Sequence, residues 1–401
     1  MRLVLVALPV VLASLPAAGQ DLPDITDRNY AIDLYQGPVL GSAEIVGMGG
    51  ASTAVAKGSP GILVNPAAVA VWPVTSTGEW DWDFHFDALN RLPGEDLDNN
   101  GIEDPEVEFD VDPFVTGGLI GRIGVFAAGG TISNNTVVSP ADDGMSGRLE
   151  ATTTVGRIAV GANLFREQLA IGAALKFGTL TINKLSDEGE VEGKLFDLQG
   201  VGLEFGSVWM PHKRDLRIGA SFSGPISGGE RVETGPDDCD PNDCEGYVLP
   251  ERVVAPWSLA IGGAYRFGPT RWNQKFGTRW RDEKYWLVAA DVLFTGASDD
   301  GHGIGAFAQR KLQRSGENVS VSVRVGAEYE WIPGRLRIRF GSYWEPSRYD
   351  GVSGRLHATA GIDLRVYQFC FWDARYRLLV GLTGDGAEGY GNGGLTVGFW
   401  H

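Results

Sequence analysis

Cysteine is nearly absent from this chain, with three in 401 residues. That excludes the disulfide-dense scaffold of small secreted domains. Cys239 and Cys244 share one acidic loop, PDDCDPNDCEG. They are expected to pair with each other if the chain is exported; a metal site of two Cys with neighbouring Asp is the alternative. Cys370 stands alone in an alternating segment. Histidine is as sparse, and His85, His212, His302, His357 and His401 share no metal-like spacing. Positive charge is in deficit, 34 Lys and Arg against 51 Asp and Glu, for a net charge of −17. This argues against nucleic acid or an anionic membrane surface as partner. Beyond the first residues, no uncharged apolar run reaches the length of a membrane-spanning helix. No serine sits in a nucleophile elbow, and no glycine loop follows a strand as a phosphate cradle requires. No carboxylates pair in a cleft. No enzyme is expected.

The chain opens with Met1-Arg2, an apolar run from Leu3 to Pro16, and the small residues Ala17, Ala18 and Gly19. One positive charge, a short apolar core and a small-residue site predict a secretory signal over residues 1–19. With no Cys at that site, a lipoprotein anchor is not expected.

Glycine is abundant, 57 residues, and so is tryptophan, 12. The stretch from Gly41 to Ala70, GSAEIVGMGGASTAVAKGSPGILVNPAAVA, keeps no strict period. Gly47, Gly49 and Gly50 offer positive φ or close backbone approach, and Asn65-Pro66-Ala67 predicts a turn. Ala31 to Leu40 is expected to form an irregular arm ahead of it. From Trp80 onward the pattern changes to period two. Trp80, Trp82, Phe84 and Phe86 alternate with Asp81, Asp83, His85 and Asp87, as in a strand between lipid and a wet lumen. Similar alternation recurs around Leu169, Trp257, Val319, Leu336 and Leu356, with Arg on several polar faces. A water-filled interior is therefore expected. Turns are short at Phe165 to Gln168, His212 to Asp215 and Ile332 to Gly334. Long acidic connections are expected at Leu89 to Asp110, Leu185 to Gly193, Gly228 to Leu249 and Thr295 to Gly303. Gly268 to Arg281 is a basic connection, and Ile304 to Arg314 is either a loop helix or an added strand. About fourteen strands result. The expected fold is all-β: a fourteen-stranded antiparallel transmembrane β-barrel over residues 73–401, with an N-terminal hatch over residues 20–72 inside it. The last strand ends in Phe399-Trp400-His401, which resembles the C-terminal signal read by barrel-insertion machinery, with His401 as the departure.

Two places carry a family resemblance. The hatch stretch, with GMGGA at 47–51 and Asn65-Pro66-Ala67, resembles the hatch of the FadL/TodX family of outer-membrane transport proteins. Val323 to Tyr329, Leu336 to Phe340 and Glu345-Pro346-Ser347 resemble that family's late hairpin. PorV-type barrels share the hatch pattern and act as shuttles for exported proteins. The family resemblance implies passive uptake of hydrophobic small molecules, such as long-chain fatty acids or aromatic hydrocarbons, across a Gram-negative outer membrane. It also implies hatch-gated sideways release into membrane lipid through a gap at a kinked strand. That gap is placed at Gly129 and Gly130, on a strand expected over Arg122 to Asn134; the alternative is that these small residues let the hatch pack against the wall. The PorV-like alternative is a shuttle or scaffold for a secretion system.

Two further groups carry candidate chemistry. Arg324, Glu328, Arg337 and Arg339 are expected to face the lumen, either as ion pairs stiffening the wall or, for Arg324 or Arg339, as holders of a ligand carboxylate. Asp96, Asp98, Asn100, Ile102 (through its carbonyl) and Asp104 resemble the start of a calcium loop, but Val107 stands where an EF-hand has its bidentate Glu. A structural calcium or a solvated acidic loop are the two readings. No other cofactor is expected.

Overall fold

The computed structural model describes residues 22–35, 37–73, 79–92, 96, 98–101, 113–140, 148–186, 189–226, 232, 239–275, 280–371 and 374–400. The expected signal segment, residues 1–19, lies outside them. Among the described residues there are, in chain order, β1 (Ala31–Asp33), β2 (Trp80–Leu92), β3 (Phe114–Ile123), β4 (Phe126–Pro140), β5 (Arg148–Leu164), β6 (Leu169–Leu185), β7 (Val191–Trp209) and β8 (Leu216–Ser223). There follow β9 (Arg252–Val254), β10 (Ser258–Phe267), β11 (Trp286–Thr295), β12 (Gly301–His302), β13 (Ser320–Ile332), β14 (Leu336–Glu345), β15 (Arg355–Phe371), β16 (Ala374–Ala387) and β17 (Tyr390–Phe399). All but β1, β9 and β12 form one closed antiparallel barrel of fourteen strands, sealed by β17 pairing with β2.

Period two decides which face each residue takes. On β2, Trp80 and Phe86 are 38% and 49% exposed, whereas Asp83 and Asp87 are 1% and 0%. Ile123, Phe126, Val160, Phe205, Val323 and Leu364 continue the exposed apolar face around the barrel. Among the described residues, no helix is long and apolar enough to cross a membrane. Phe399 packs edge-on against Trp82 and Phe84, at centroid distances of 4.9 and 4.8 Å, within the aromatic cluster that closes the seam.

Two expected spans differ in the structure, and a third takes the first of its two expected forms. Leu185 to Gly193 is not a long loop, because β6 runs to Leu185 and β7 starts at Val191. The strand expected over Arg122 to Asn134 is two strands: Gly124, with φ of 57°, turns β3 into β4. Ile304 to Arg314 begins as a short helix, α2 (Ile304–Ala308).

The arm before the hatch is also more ordered than its sequence suggests. β1 lies parallel between β9 and β12, at the barrel end that carries the long loops. Tyr30 and Ile32 enter an apolar cluster there with Leu195, Phe196, Tyr247 and Phe307. The Tyr30 hydroxyl donates to the Val248 carbonyl at 2.6 Å, and Arg28 donates to the carbonyl of Val232. Below this cap, Arg348 donates to buried Asp33 at 3.0 Å. The Cys239–Cys244 disulfide lies in the same cap.

Candidate functional site

Residues 39–72 pack against the inner face of the barrel wall. Their elements are α1 (Ala43–Gly47) and two short 3₁₀ turns, Pro60–Leu63 and Pro66–Ala70. Such a segment cannot pair its backbone with a sheet, so its N–H groups need other acceptors. The inward polar side chains of the wall supply them. Asp83 accepts from the Ser59 amide at 2.6 Å, Asp291 from the Thr53 amide at 2.8 Å, and the Thr396 hydroxyl from the Ala43 amide at 2.7 Å. His85 meets the Ser59 hydroxyl at 2.8 Å. Asp83 and His85, on the polar face of β2, therefore anchor the plug.

Asn65 is fully buried and works in two directions. Its Oδ1 accepts from the Ala67 amide at 3.0 Å, which caps the Pro66–Ala70 turn. Its Nδ2 donates to the Thr53 carbonyl at 2.9 Å and to the Ser207 carbonyl of β7 at 3.2 Å. Arg122, 1% exposed, holds the end of that turn from β3, with its Nε donating to the Val69 carbonyl at 2.8 Å. At the other end of the plug, Gly49 and Gly50 have φ of 61° and 73°. A Cβ on Gly47 would lie 3.0 Å from Gly361 Cα, so close approach rather than torsion requires that glycine.

The wall answers with glycines of its own. Gly161, Gly172 and Gly206 lie side by side on β5, β6 and β7, and Gly326 faces Gly341 across β13 and β14. A Cβ on Gly172 would sit 2.4 Å from the Pro66 carbonyl oxygen, and one on Gly341 would sit 2.3 Å from the Gly49 nitrogen. Plug and wall thus touch backbone to backbone. On the outer side of the first glycine row lies an open apolar groove of about 1150 Å³, bordered by Trp82, Ile123, Phe126, Val160, Ile171 and Phe205. Between that groove and the Pro66–Ala70 turn the wall is one backbone thick.

The expected lumen charges come together as a ladder. Glu328 stands opposite Arg339, and Glu330 opposite Arg337, on β13 and β14. Arg339 Nε donates to Glu328 at 2.6 Å, and its Nη2 lies 2.7 Å from Asp363 on β15. Arg337 donates to Glu330 at 2.8 Å and lies over the Trp400 ring at 4.0 Å. Arg339 is thereby committed to two carboxylates. Arg324 differs: among the described residues its Nε reaches only the Ser322 hydroxyl, at 3.4 Å, while its guanidinium lies beside Gly50 of the plug.

Among solved structures, the chain is similar to a FadL homologue of Pseudomonas aeruginosa, with TM-score 0.54 and 12% identity over 91% of this chain and 98% of that one. It is similar to the Pseudomonas putida toluene transporter TodX, with TM-score 0.54 and 15% identity over 92% and 99%. The Ralstonia pickettii toluene transporter TbuX gives 0.53 and 12% over 91% and 98%. The fold is that of the FadL/TodX-type barrels. No protein-family model matches the chain, and no curated protein sequence does.

In this FadL/TodX-type barrel, Gly129 and Gly130 are paired without interruption: Gly129 with Ile120 and Ala159, and Gly130 with Leu119 and Ile158. Gly129 lies between Ile120 and Ala159, which pack with Ile62, Ala67 and Val69 of the plug. A Cβ on Gly129 would meet the Ile120 side chain at 2.3 Å, so the close approach there is between neighbouring strands.

The acidic loop is described only in part, and Ile102 and Asp104 lie outside the described residues. The Asp96 carboxylate accepts from the amides of Asn100 and Gly101, both at 2.9 Å, and Asp98 accepts from Asn100 Nδ2 at 3.2 Å. Among the described residues, no group of three or more His, Cys, Asp or Glu side chains could hold a metal. The two amide bonds leave lone pairs free on the Asp96 carboxylate. Melting tests the two readings of the loop: a higher melting temperature in millimolar calcium than in chelator assigns it as a calcium site, and equal temperatures leave a solvated acidic loop.

The basic connection after β10, expected only as a connection, packs against the plug. Trp272 and Leu287 pack with Met48 and Ala54 beneath the plug, and Arg281 donates to the carbonyl of Trp272 at 2.8 Å. The signal was compositional: three Arg, one Lys and two Trp gather between Gly268 and Arg281 in an acidic chain.

Proposed function

We propose that the protein is a passive channel for hydrophobic small molecules in the outer membrane of a Gram-negative bacterium, with residues 39–72 as its gate. The apolar outer face suits lipid, and the short turns would face the periplasm, as in outer-membrane barrels generally. One observation carries the reading: the Pro66–Ala70 turn and the outer groove share the glycine wall at Gly161, Gly172 and Gly206. A solute admitted where that turn now sits would meet lipid across the thinnest part of the barrel. That two of the similar structures are toluene transporters supports an apolar cargo. Release at Gly129 and Gly130 would require the β3–β4 ladder to open. Arg324, beside the plug and without a carboxylate partner among the described residues, is the lumen residue placed to meet an acidic solute.

The test is Asn65→Ala/Pro66→Ala. It removes the bonds from Asn65 to Thr53, Ser207 and Ala67 and leaves the outer face intact. Losing buried hydrogen bonds of this kind costs about 1–3 kcal/mol. The variant is expected to insert normally and to change uptake of a labelled fatty acid or aromatic hydrocarbon by whole cells, at barrel amounts matched by immunoblot. Unchanged uptake of every probe would reduce these residues to packing and favour a PorV-like scaffold.

A further inference from the structure

The end of the barrel that carries Trp72 and Trp400 holds a small cavity of about 90 Å³. Six cations line it (Lys57, Arg217, Arg266, Arg281, Arg337 and Arg377) against three acids, Glu44, Asp282 and Glu328. Arg337 is paired from just outside it with Glu330, at 2.8 Å. The acids are already engaged. Glu44 pairs with Lys57 at 3.4 Å, Asp282 with Arg377 at 2.5 and 2.8 Å, and Glu328 with Arg339 at 2.6 Å. Arg266 takes Glu283 at 2.6 Å, from just outside the cavity.

Arg217 has no such partner among the described residues. It is 5% exposed, its Nε donates to Asn273 Oδ1 at 2.9 Å, and its guanidinium lies 4.1 Å over the Trp272 ring. Arg281 and Arg266 lie close enough to repel its charge, and Glu44 close enough to attract it. Its two terminal nitrogens reach no protein acceptor among the described residues and are open to the cavity, where an anion could pair with the charge. The packing holds it in place for one: Asn273 and Trp272 fix the plane of the fork, which matches a carboxylate bidentately. The cavity is the size of a head group and not of a whole solute. Trp72, Trp272, Trp280, Tyr285 and Trp400 line it with aromatic faces on which an apolar body could lie.

We propose that this mouth binds the carboxylate of an amphiphilic organic acid, with Arg217 as the residue that grips it. The site goes beyond the channel reading, since it binds whether or not the plug opens. A phosphate group shares the same chemistry, so the experiment separates the two.

Purified full-length protein in an uncharged detergent is titrated with 4-phenylbutyrate and with the matched alcohol 4-phenylbutanol, read by tryptophan fluorescence. The acid is expected to bind at least about tenfold more tightly, the contribution of one hydrogen bond to a charged group. Arg217→Gln should abolish that preference while the barrel keeps its heat-modifiable gel mobility. Should Arg217→Gln fail to fold, Arg217→Lys decides: the cation remains but the fork is lost, so the preference is expected to persist at a reduced level. Equal affinity for acid and alcohol in the wild type overturns the proposal, as does an undiminished preference in Arg217→Gln or Arg217→Lys. Displacement of the acid by an equal concentration of inorganic phosphate overturns the carboxylate assignment; no displacement supports it. Because no transport is measured, failure here leaves the channel reading untouched, and failure of uptake leaves this site standing.

Discussion

Arg339→Met is expected to lower the stability of the folded barrel by about 3–5 kcal/mol, the cost of leaving buried charges without their partner. Arg339 is fully buried and bonds Glu328 on β13 and Asp363 on β15, so it ties three consecutive strands through one side chain. Methionine fills most of the volume but leaves two carboxylates facing each other. The Tyr285 hydroxyl still donates to Glu328 at 2.5 Å, which offsets a small part of the loss. Neutralising the acids as well, in Arg339→Met/Glu328→Gln/Asp363→Asn, is expected to recover most of the stability, because a buried ionic set and a neutral one of similar volume differ little. Urea unfolding midpoints in detergent measure both. If Arg339→Met unfolds at the wild-type midpoint, the ladder contributes nothing to the wall.

Gly172→Val is expected to release the plug without harming the barrel. Valine suits a strand, and the barrel registers on both sides of Gly172 are unbroken. Inside, however, the new Cβ would lie 2.4 Å from the Pro66 carbonyl oxygen and 2.7 Å from the Ala67 nitrogen, atoms that move only if the whole turn moves. Overpacking of this kind costs about 1–3 kcal/mol, or roughly 5- to 150-fold in the ratio of displaced to seated plug. The matched control is Gly156→Val on the neighbouring strand β5, where a Cβ would meet nothing within 4 Å. Limited proteolysis should cut residues 39–72 faster in Gly172→Val than in Gly156→Val. Equal protection in the two variants would mean that the plug is not seated on the glycine row.

These two sites show what the sequence could and could not reveal. The barrel was legible because lipid on one side and polar groups on the other impose a clean period of two, as in Trp80 to Asp87. The plug's position was legible in part: Asn65-Pro66 and the glycines at 49 and 50 announce a turn whose chemistry is local. Its contacts were not. Gly172 stood in plain view on the polar face of its strand, but a missing side chain does not say which segment takes its place. Nor does an inward Asp reveal whether water or a backbone amide satisfies it. β1 was illegible for a third reason. Three residues, Ala31 to Asp33, pair with β9 and β12, strands distant in sequence, and nothing in that tripeptide marks the choice. Arg217 and Trp272 were missed because they meet through a connection without period, so neither helix nor strand pattern could bring them together.

Net uptake by intact cells tests the central claim most directly. A Gram-negative host lacking its own hydrophobic-compound channels, with and without this protein in its outer membrane, is given radiolabelled oleate and, separately, a labelled monoaromatic hydrocarbon at low concentration. The account predicts faster initial uptake of at least one of them, proportional to the amount of folded barrel and independent of added energy source. Identical rates with and without the folded barrel, for both solutes, would contradict it.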